Sequence, residues 1–235
     1  MSRLRSSVDI RGMSKYYRPL LPGAIYHLFS RAVGKEKLFL EQRNYHFFLN
    51  KLQQHTGKVA NVMAYCLLPN HFHLVVQIKN TEEIIQVYNQ MKTRPFDGSL
   101  DTLSDFIMER FSNLLNSYAK SFNKIYKRRG ALFMDYMRRN LAEDDYLTRT
   151  FILYTHRNAL HHGLVNDMGE WMFDSYNLLL GNTETWIRRD LALLTFGDRK
   201  KFVDFHQTYK VLRPYRSGEG RTEQNHPEKA FVSLR

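Results

Sequence analysis

An α+β fold is predicted by three features of this 235-residue chain: an alternating stretch near its start, two apolar runs joined by a Pro-Asn turn, and a long stripe with helical spacing in its middle. Alternation sends successive side chains to opposite faces of a strand, whereas spacings of three and four keep them on one face of a helix. After the Pro22-Gly23 turn, Ala24 to Val33 alternates, with Tyr26, Leu28 and Ser30 on one face and Ile25, His27 and Phe29 on the other. Glu41 to His55 repeats Tyr45, Phe48, Leu49 and Leu52 at helical spacing, and Gly57 stops it. Val59 to Leu67 and Phe72 to Ile78 flank Leu68-Pro69-Asn70-His71, which predicts a hairpin.

Thr81 to Met91 reads as a short helix capped by Thr81, with Glu82 and Glu83 complementing its positive end. Residues 92 to 101, with Pro95 and Gly98, read as a loop. From Leu103 the stripe Ile107, Phe111, Leu114, Leu115, Tyr118, Phe122 and Ile125 predicts a long helix ending at Arg128-Arg129-Gly130. Ala131 to Leu141 alternates like a strand, and Glu143-Asp144-Asp145 opens a helix that runs toward Gly163. Glu170 to Tyr176 forms an aromatic turn, with short helices expected at 184 to 194 and 199 to 209.

This length suits one domain, placed at residues 1 to 212, with 213 to 235 as a disordered basic tail. The formal net charge of +12 favours polyanions, nucleic acid first. The first residues lack the apolar run of a secretory signal, and no stretch approaches a membrane span, so a cytoplasmic protein without a membrane partner is expected. The one cysteine, Cys66, lies in an apolar strand and reads as a small core residue.

Chemistry concentrates at His71-Phe72-His73. On a strand the two imidazoles share a face while Phe72 enters the opposite layer, so both can hold one metal ion. With 10 histidines in the chain such a pair arises by accident roughly 0.4 times, and two strand histidines satisfied by hydrogen bonds are an equal reading. Farther on, Tyr154 and Asn158 are four residues apart, presenting a phenol and a carboxamide on one helical face. Leu147, Phe151 and Tyr154 could equally be a core stripe.

Three blocks in order, Leu67-Leu68-Pro69-Asn70-His71-Phe72-His73-Leu74-Val75-Val76, Arg129-Gly130-Ala131-Leu132-Phe133 and Tyr154-Thr155-His156-Arg157-Asn158-Ala159-Leu160-His161-His162-Gly163-Leu164-Val165, resemble the single-tyrosine transposases of the HUH class. The likeness is to the REP-associated and insertion-sequence-type enzymes of bacteria, over about residues 20 to 205. It implies a ferredoxin-like (RRM-like) fold, an antiparallel sheet with helices on one side and the tyrosine helix lying across it near the histidines. It implies His71 and His73 as ligands of Mg2+ or Mn2+, Asn158 as a further ligand and Tyr154 as nucleophile, acting on single-stranded or hairpin DNA as a monomer or homodimer. Where relatives often carry Pro after the asparagine this chain has Ala159, so the helix can continue past Asn158.

In such a reaction Tyr154 attacks a phosphodiester, expels a 3′-hydroxyl and keeps the 5′-phosphate, storing the bond for rejoining. A phenol of pKa ~10 attacking an anion needs the electrophilic help that a divalent ion gives. Lys120, Lys124, Lys127, Arg128, Arg129, Arg138 and Arg139 are the candidate DNA-backbone contacts, although each could be an ordinary solvated charge. Alternatives are a hairpin-binding protein without transposition activity, an RNA-binding ferredoxin-like module and a metal phosphoesterase. The RNA module has no need of Tyr154 and should show an aromatic strand signature that is absent; the phosphoesterase needs more ligands.

Overall fold

The computed structural model describes residues 19–134 and 137–208. Four strands, β1 (Ile25–Arg31), β2 (Ala60–Leu68), β3 (His71–Ile78) and β4 (Arg138–Ala142), form one sheet in the order β2-β3-β1-β4. Every neighbouring pair is antiparallel. Helices α1 (Gln42–Thr56), α2 (Thr81–Met91) and α3 (Leu100–Ile125) connect these strands, and α4 (Asp145–His161), α5 (Tyr176–Leu180), α6 (Arg189–Phe196) and α7 (Arg199–Thr208) follow β4.

Alternation decides which layer each strand residue enters. Tyr26, Leu28 and Ser30 pair with Val76, Leu74 and Phe72 and face α1 and α3, where Phe48 lies 4.9 Å from Phe72 between ring centroids. The other face carries His27, Phe29, His71, His73 and Cys66 and is covered by α4, whose Phe151 meets His27 at 5.4 Å. Helices therefore cover both faces of the sheet, not one: α4 has an apolar inner surface of its own, and the odd-numbered residues of β1 and β3 need covering as much as the even ones.

Strand β2 is an edge, and the segment after α4 closes it. Leu67 N donates to Phe173 O at 2.9 Å, Ser175 N to Tyr65 O at 3.0 Å, Trp171 Nε1 to Leu67 O at 2.9 Å and Arg188 N to Val62 O at 2.8 Å. An open ladder edge is thus satisfied within the chain. The expected aromatic turn is this cover, with Phe173 stacked on Tyr45 at 3.8 Å.

Several boundaries differ from expectation. Asn80, not Thr81, caps α2, because its side chain accepts from Glu83 N at 2.8 Å while Glu83 reaches back to Asn80 N. Helix α3 begins at Leu100, inside the expected loop, because Ser99 accepts from Asp101 N and Thr102 N. The expected strand from Ala131 contracts to β4, with Phe133 making only an isolated bridge to Ala32; Asp135 and Tyr136 lie outside the described residues. Between the aromatic turn and α6 the chain forms the short α5, and α6 starts at Arg189 instead of Glu184. The basic N-terminal residues 1–18 and the tail 213–235 also lie outside the described residues. Cys66 is fully buried, and burial pushes its thiol well above the usual range.

Candidate active site

The turn before β3 is fixed from outside. Leu38 N and Phe39 N donate to Pro69 O at 2.7 and 3.1 Å, and Ala32 N donates to Asn70 O at 2.8 Å. The Asn70 side chain points at the first histidine: His71 Nδ1 donates to Asn70 Oδ1 at 2.7 Å. In a neutral imidazole that bond leaves the Nε2 lone pair for a ligand. Two residues on, His73 lies on the same strand face, its ring 5.1 Å from that of His71 and at 86° to it.

His73 sits in the middle of the sheet, opposite Phe29 on one side and Cys66 on the other. Its Nδ1 is hydrogen-bonded to His27 Nε2 at 2.9 Å, with the rings nearly parallel at 6°. His27 is fully buried and its own Nδ1 has no hydrogen-bond partner.

Helix α4 brings the remaining groups. Asp144 starts it by accepting from Leu147 N at 2.7 Å, and Gly163, at φ 66°, ends it in a Schellman turn with Leu164 N donating to Ala159 O at 2.9 Å. Ala159 therefore does continue the helix past Asn158. The Tyr154 ring stands edge-on to His73 at 5.4 Å and 89°, and to His27 at 5.6 Å and 83°. Two turns farther, His162 lies 4.8 Å from His71. Tyr154, Asn158 and His162 share a helical stripe, so Asn158 lies between the level of His73 and that of His71. Its Nδ2 donates to Tyr154 O at 2.7 Å, while its Oδ1 is buried without a partner.

Burial governs the electrostatics. Desolvation lowers His27 to about 3, and it lowers His71 to about 4, with the charges of His162, Arg31 and His161 adding to the effect. His73 is held well below the usual imidazole range by desolvation and then by His27, His71 and His162. All three are neutral near pH 7, the form that binds metal. Among the described residues no group of three His, Cys, Asp or Glu side chains could hold a metal ion. The groups that fit one are two neutral imidazoles, His71 with its free nitrogen defined by Asn70, and the orphaned carboxamide oxygen of Asn158. Nitrogen and neutral oxygen donors suit a divalent first-row ion or magnesium completed by water.

The expected basic contacts divide. Lys120 and Lys124 are exposed on α3, which packs on the sheet face away from Tyr154, and Lys127 and Arg129 are exposed in the turn just beyond it. Arg128 secures the turn after α3 by donating to Gly130 O and Ala131 O, and it pairs with Glu36 at 3.2 Å. Arg139 is 8% exposed with Nη1 against Met108 of α3, so its guanidinium faces the core layer, out of reach of a phosphate. Arg138 alone of the set shares the tyrosine face, its guanidinium 6.0 Å over the Phe29 ring. His27, His162 and the side-chain role of Asn70 escape sequence reasoning. Alternation along β1 sets the face of His27, but only the β1–β3 register puts it beside His73.

No protein-family model matches the chain, and no curated protein matches it in sequence. In fold it is similar to a solved structure of a REP-associated tyrosine transposase bound to a REP hairpin, with a TM-score of 0.54 and 13% identity over 72% of this chain and 87% of the other. That likeness is one of fold. No helix among the described residues is long and apolar enough to cross a membrane.

Proposed function

We propose that the protein cleaves and rejoins single-stranded, hairpin-associated DNA through a 5′-phosphotyrosine at Tyr154. The observation that carries this reading is the approach of Tyr154 to the His71/His73 strand, edge-on to His73 at 5.4 Å, on a helix that also presents Asn158. The order β1-α1-β2-β3-α2-α3-β4, which is β-α-β-β-α-β with one helix added before β4, and the sheet order β2-β3-β1-β4 support the ferredoxin-like assignment. The hairpin-bound neighbour of similar fold supports DNA as the partner.

His71, His73 and Asn158 would hold Mg2+ or Mn2+, which polarises a phosphate when bound. The chain's residues do the rest. Tyr154 Oη forms a bond to phosphorus as the bond to O3′ breaks, and the proton of the phenol is balanced by the one that the departing 3′-oxygen takes up. The adduct keeps one phosphodiester-like bond, so a second 3′-hydroxyl can reverse the step without a nucleoside triphosphate. Asn158 Nδ2, bound to Tyr154 O, ties the candidate ligand to the nucleophile's own turn.

The test is to incubate the protein with labelled hairpin DNA carrying single-stranded flanks and Mn2+, then isolate denaturation-resistant protein-DNA and map the modified peptide. A Tyr154 adduct that disappears with EDTA is expected. An adduct on another tyrosine would overturn the assignment, and hairpin binding without any adduct would favour a binding protein.

Asn70 gives a sharper prediction on the metal. Asn70→Ala leaves His71 Nδ1 to water and removes the bias toward a free Nε2, so the Mn2+ dissociation constant should rise about 10- to 100-fold. Asn70→Asp retains the acceptor and should hold affinity within a few-fold. Electron paramagnetic resonance of free Mn2+ measures both.

A further inference from the structure

Beside His71 lies an open cleft of about 220 Å³, lined by Lys35, Lys37, Asn70, His71, His162 and Leu164 among others. We propose that this cleft is an anion subsite that seats a backbone phosphate of single-stranded DNA next to the candidate metal histidines. The proposal deepens the strand-cleavage reading and rests on it for the identity of the ligand.

The loop after β1 is built to hold two cations there. Leu38 and Phe39 are buried at 0% and 2% exposure, their amides are bound to Pro69 O, and Tyr118 Oη donates to Leu38 O at 2.5 Å. The loop is therefore fixed to the turn that carries His71, while Lys35 and Lys37 remain exposed. Glu36, the residue between them, is paired with Arg128 at 3.2 Å. The cleft lining contains no carboxylate. Arg31, opposite His71 in the β1–β3 register, adds positive charge at the same corner and contributes to lowering that imidazole.

Two ammonium groups without a carboxylate in the cleft wall recruit an anion, and their flexible stems suit a phosphate approached from solvent. The apolar part of the wall, Leu68, Pro69 and Leu164, offers surface to a sugar or an unstacked base beside that phosphate. A duplex would present its phosphates on a wide rigid cylinder, whereas a single strand can bend its backbone into an opening of this size. The lysines of α3 have no such link to His71, since α3 packs on the other face of the sheet.

The test measures binding of a fluorescein-labelled oligothymidylate of about 15 nucleotides by anisotropy between low and moderate KCl. It uses the full chain, Lys35→Gln/Lys37→Gln and Lys35→Arg/Lys37→Arg. Each phosphate contact on a single strand contributes about 0.7 to the log-log salt slope, so the Gln pair should flatten it by about 0.7 to 1.4 and the Arg pair should not. Mn2+ affinity and melting temperature should stay constant in both, because neither lysine is a ligand or a core residue. An unchanged slope in the Gln pair, an equal loss in the Arg pair, or no binding of the oligonucleotide by the wild-type chain would overturn the subsite. Loss of slope together with failure to form any tyrosine adduct would retain the subsite and reject the cleavage reading.

Discussion

Tyr154→Phe is expected to reduce strand cleavage by at least ~10³-fold while leaving folding and DNA affinity close to wild type. The substitution removes one oxygen. The edge-on contacts with His73 and His27 belong to the ring, and the hydrogen bond from Asn158 goes to the backbone carbonyl, so all of them survive in phenylalanine. Single-turnover cleavage with enzyme in excess separates the chemical step from binding, and Mn2+ affinity measured in parallel should be unchanged. That pairing matters because a ligand and a nucleophile fail differently: loss of a ligand weakens metal binding, whereas loss of the nucleophile leaves it intact. Near-normal cleavage by Tyr154→Phe would transfer the role to another hydroxyl. Tyr146, 41% exposed and two turns earlier on α4, is the first to examine.

How much of this site is legible in the sequence follows from the range of each interaction. The hairpin is legible because Pro69-Asn70 breaks an apolar run, and the shared face of His71 and His73 follows from strand geometry alone. Tyr154 and Asn158 can be placed on one stripe of a helix that Asp144 caps. What local pattern cannot supply is the register between β1 and β3. That register places His27 beside His73, a partner 46 residues distant in the chain. The same limit hides the pairing of His162 with His71, and although strand alternation alone sends Arg138 and Arg139 to opposite faces, only the pairing of β4 with β1 tells which of them shares the face of Tyr154. The caps fail for a smaller reason: Asn80 and Ser99 are each one residue outside the helix they start, and the side-chain bond that identifies them is invisible until the turn is built.

Acidification from pH 7 to pH 5 is expected to destabilise the metal-free protein, and two buried histidine pairs set the sign. His27 is bonded to His73, and His156 Nδ1 to His206 Nε2 at 3.0 Å, joining α4 to α7. In the second pair His206 Nδ1 must donate to Phe202 O, so its Nε2 accepts from His156 Nδ1, and His156 Nε2 accepts from Ser175 Oγ. Every ring nitrogen in that chain is used, and an extra proton leaves two donors facing each other. Burial lowers His206 to about 4 and His156 well below its ordinary value, as it does for the first pair. A folded pKa below the unfolded ~6.5 means that the unfolded chain takes up protons first, so stability is full above ~6.5 and falls as pH drops toward the folded values. Each of the four imidazoles that stays neutral in the fold takes away about 1.4 kcal/mol per pH unit below ~6.5, so the pairs together are the largest acid-dependent loss. Asp174 opposes this, because burial raises it to about 7 and the folded chain gains its proton over the same interval. That returns about 2 to 3 kcal/mol, less than the four imidazoles take away, so the wild-type melting temperature should still fall between pH 7 and pH 5. Asp174→Asn keeps an acceptor for Tyr176 N and removes the opposing proton. Its melting temperature should therefore fall more steeply between pH 7 and pH 5 than that of the wild type. Equal slopes in scanning calorimetry would show that Asp174 does not titrate in this interval, and a wild-type protein more stable at pH 5 would show that the buried imidazoles do not control its acid response.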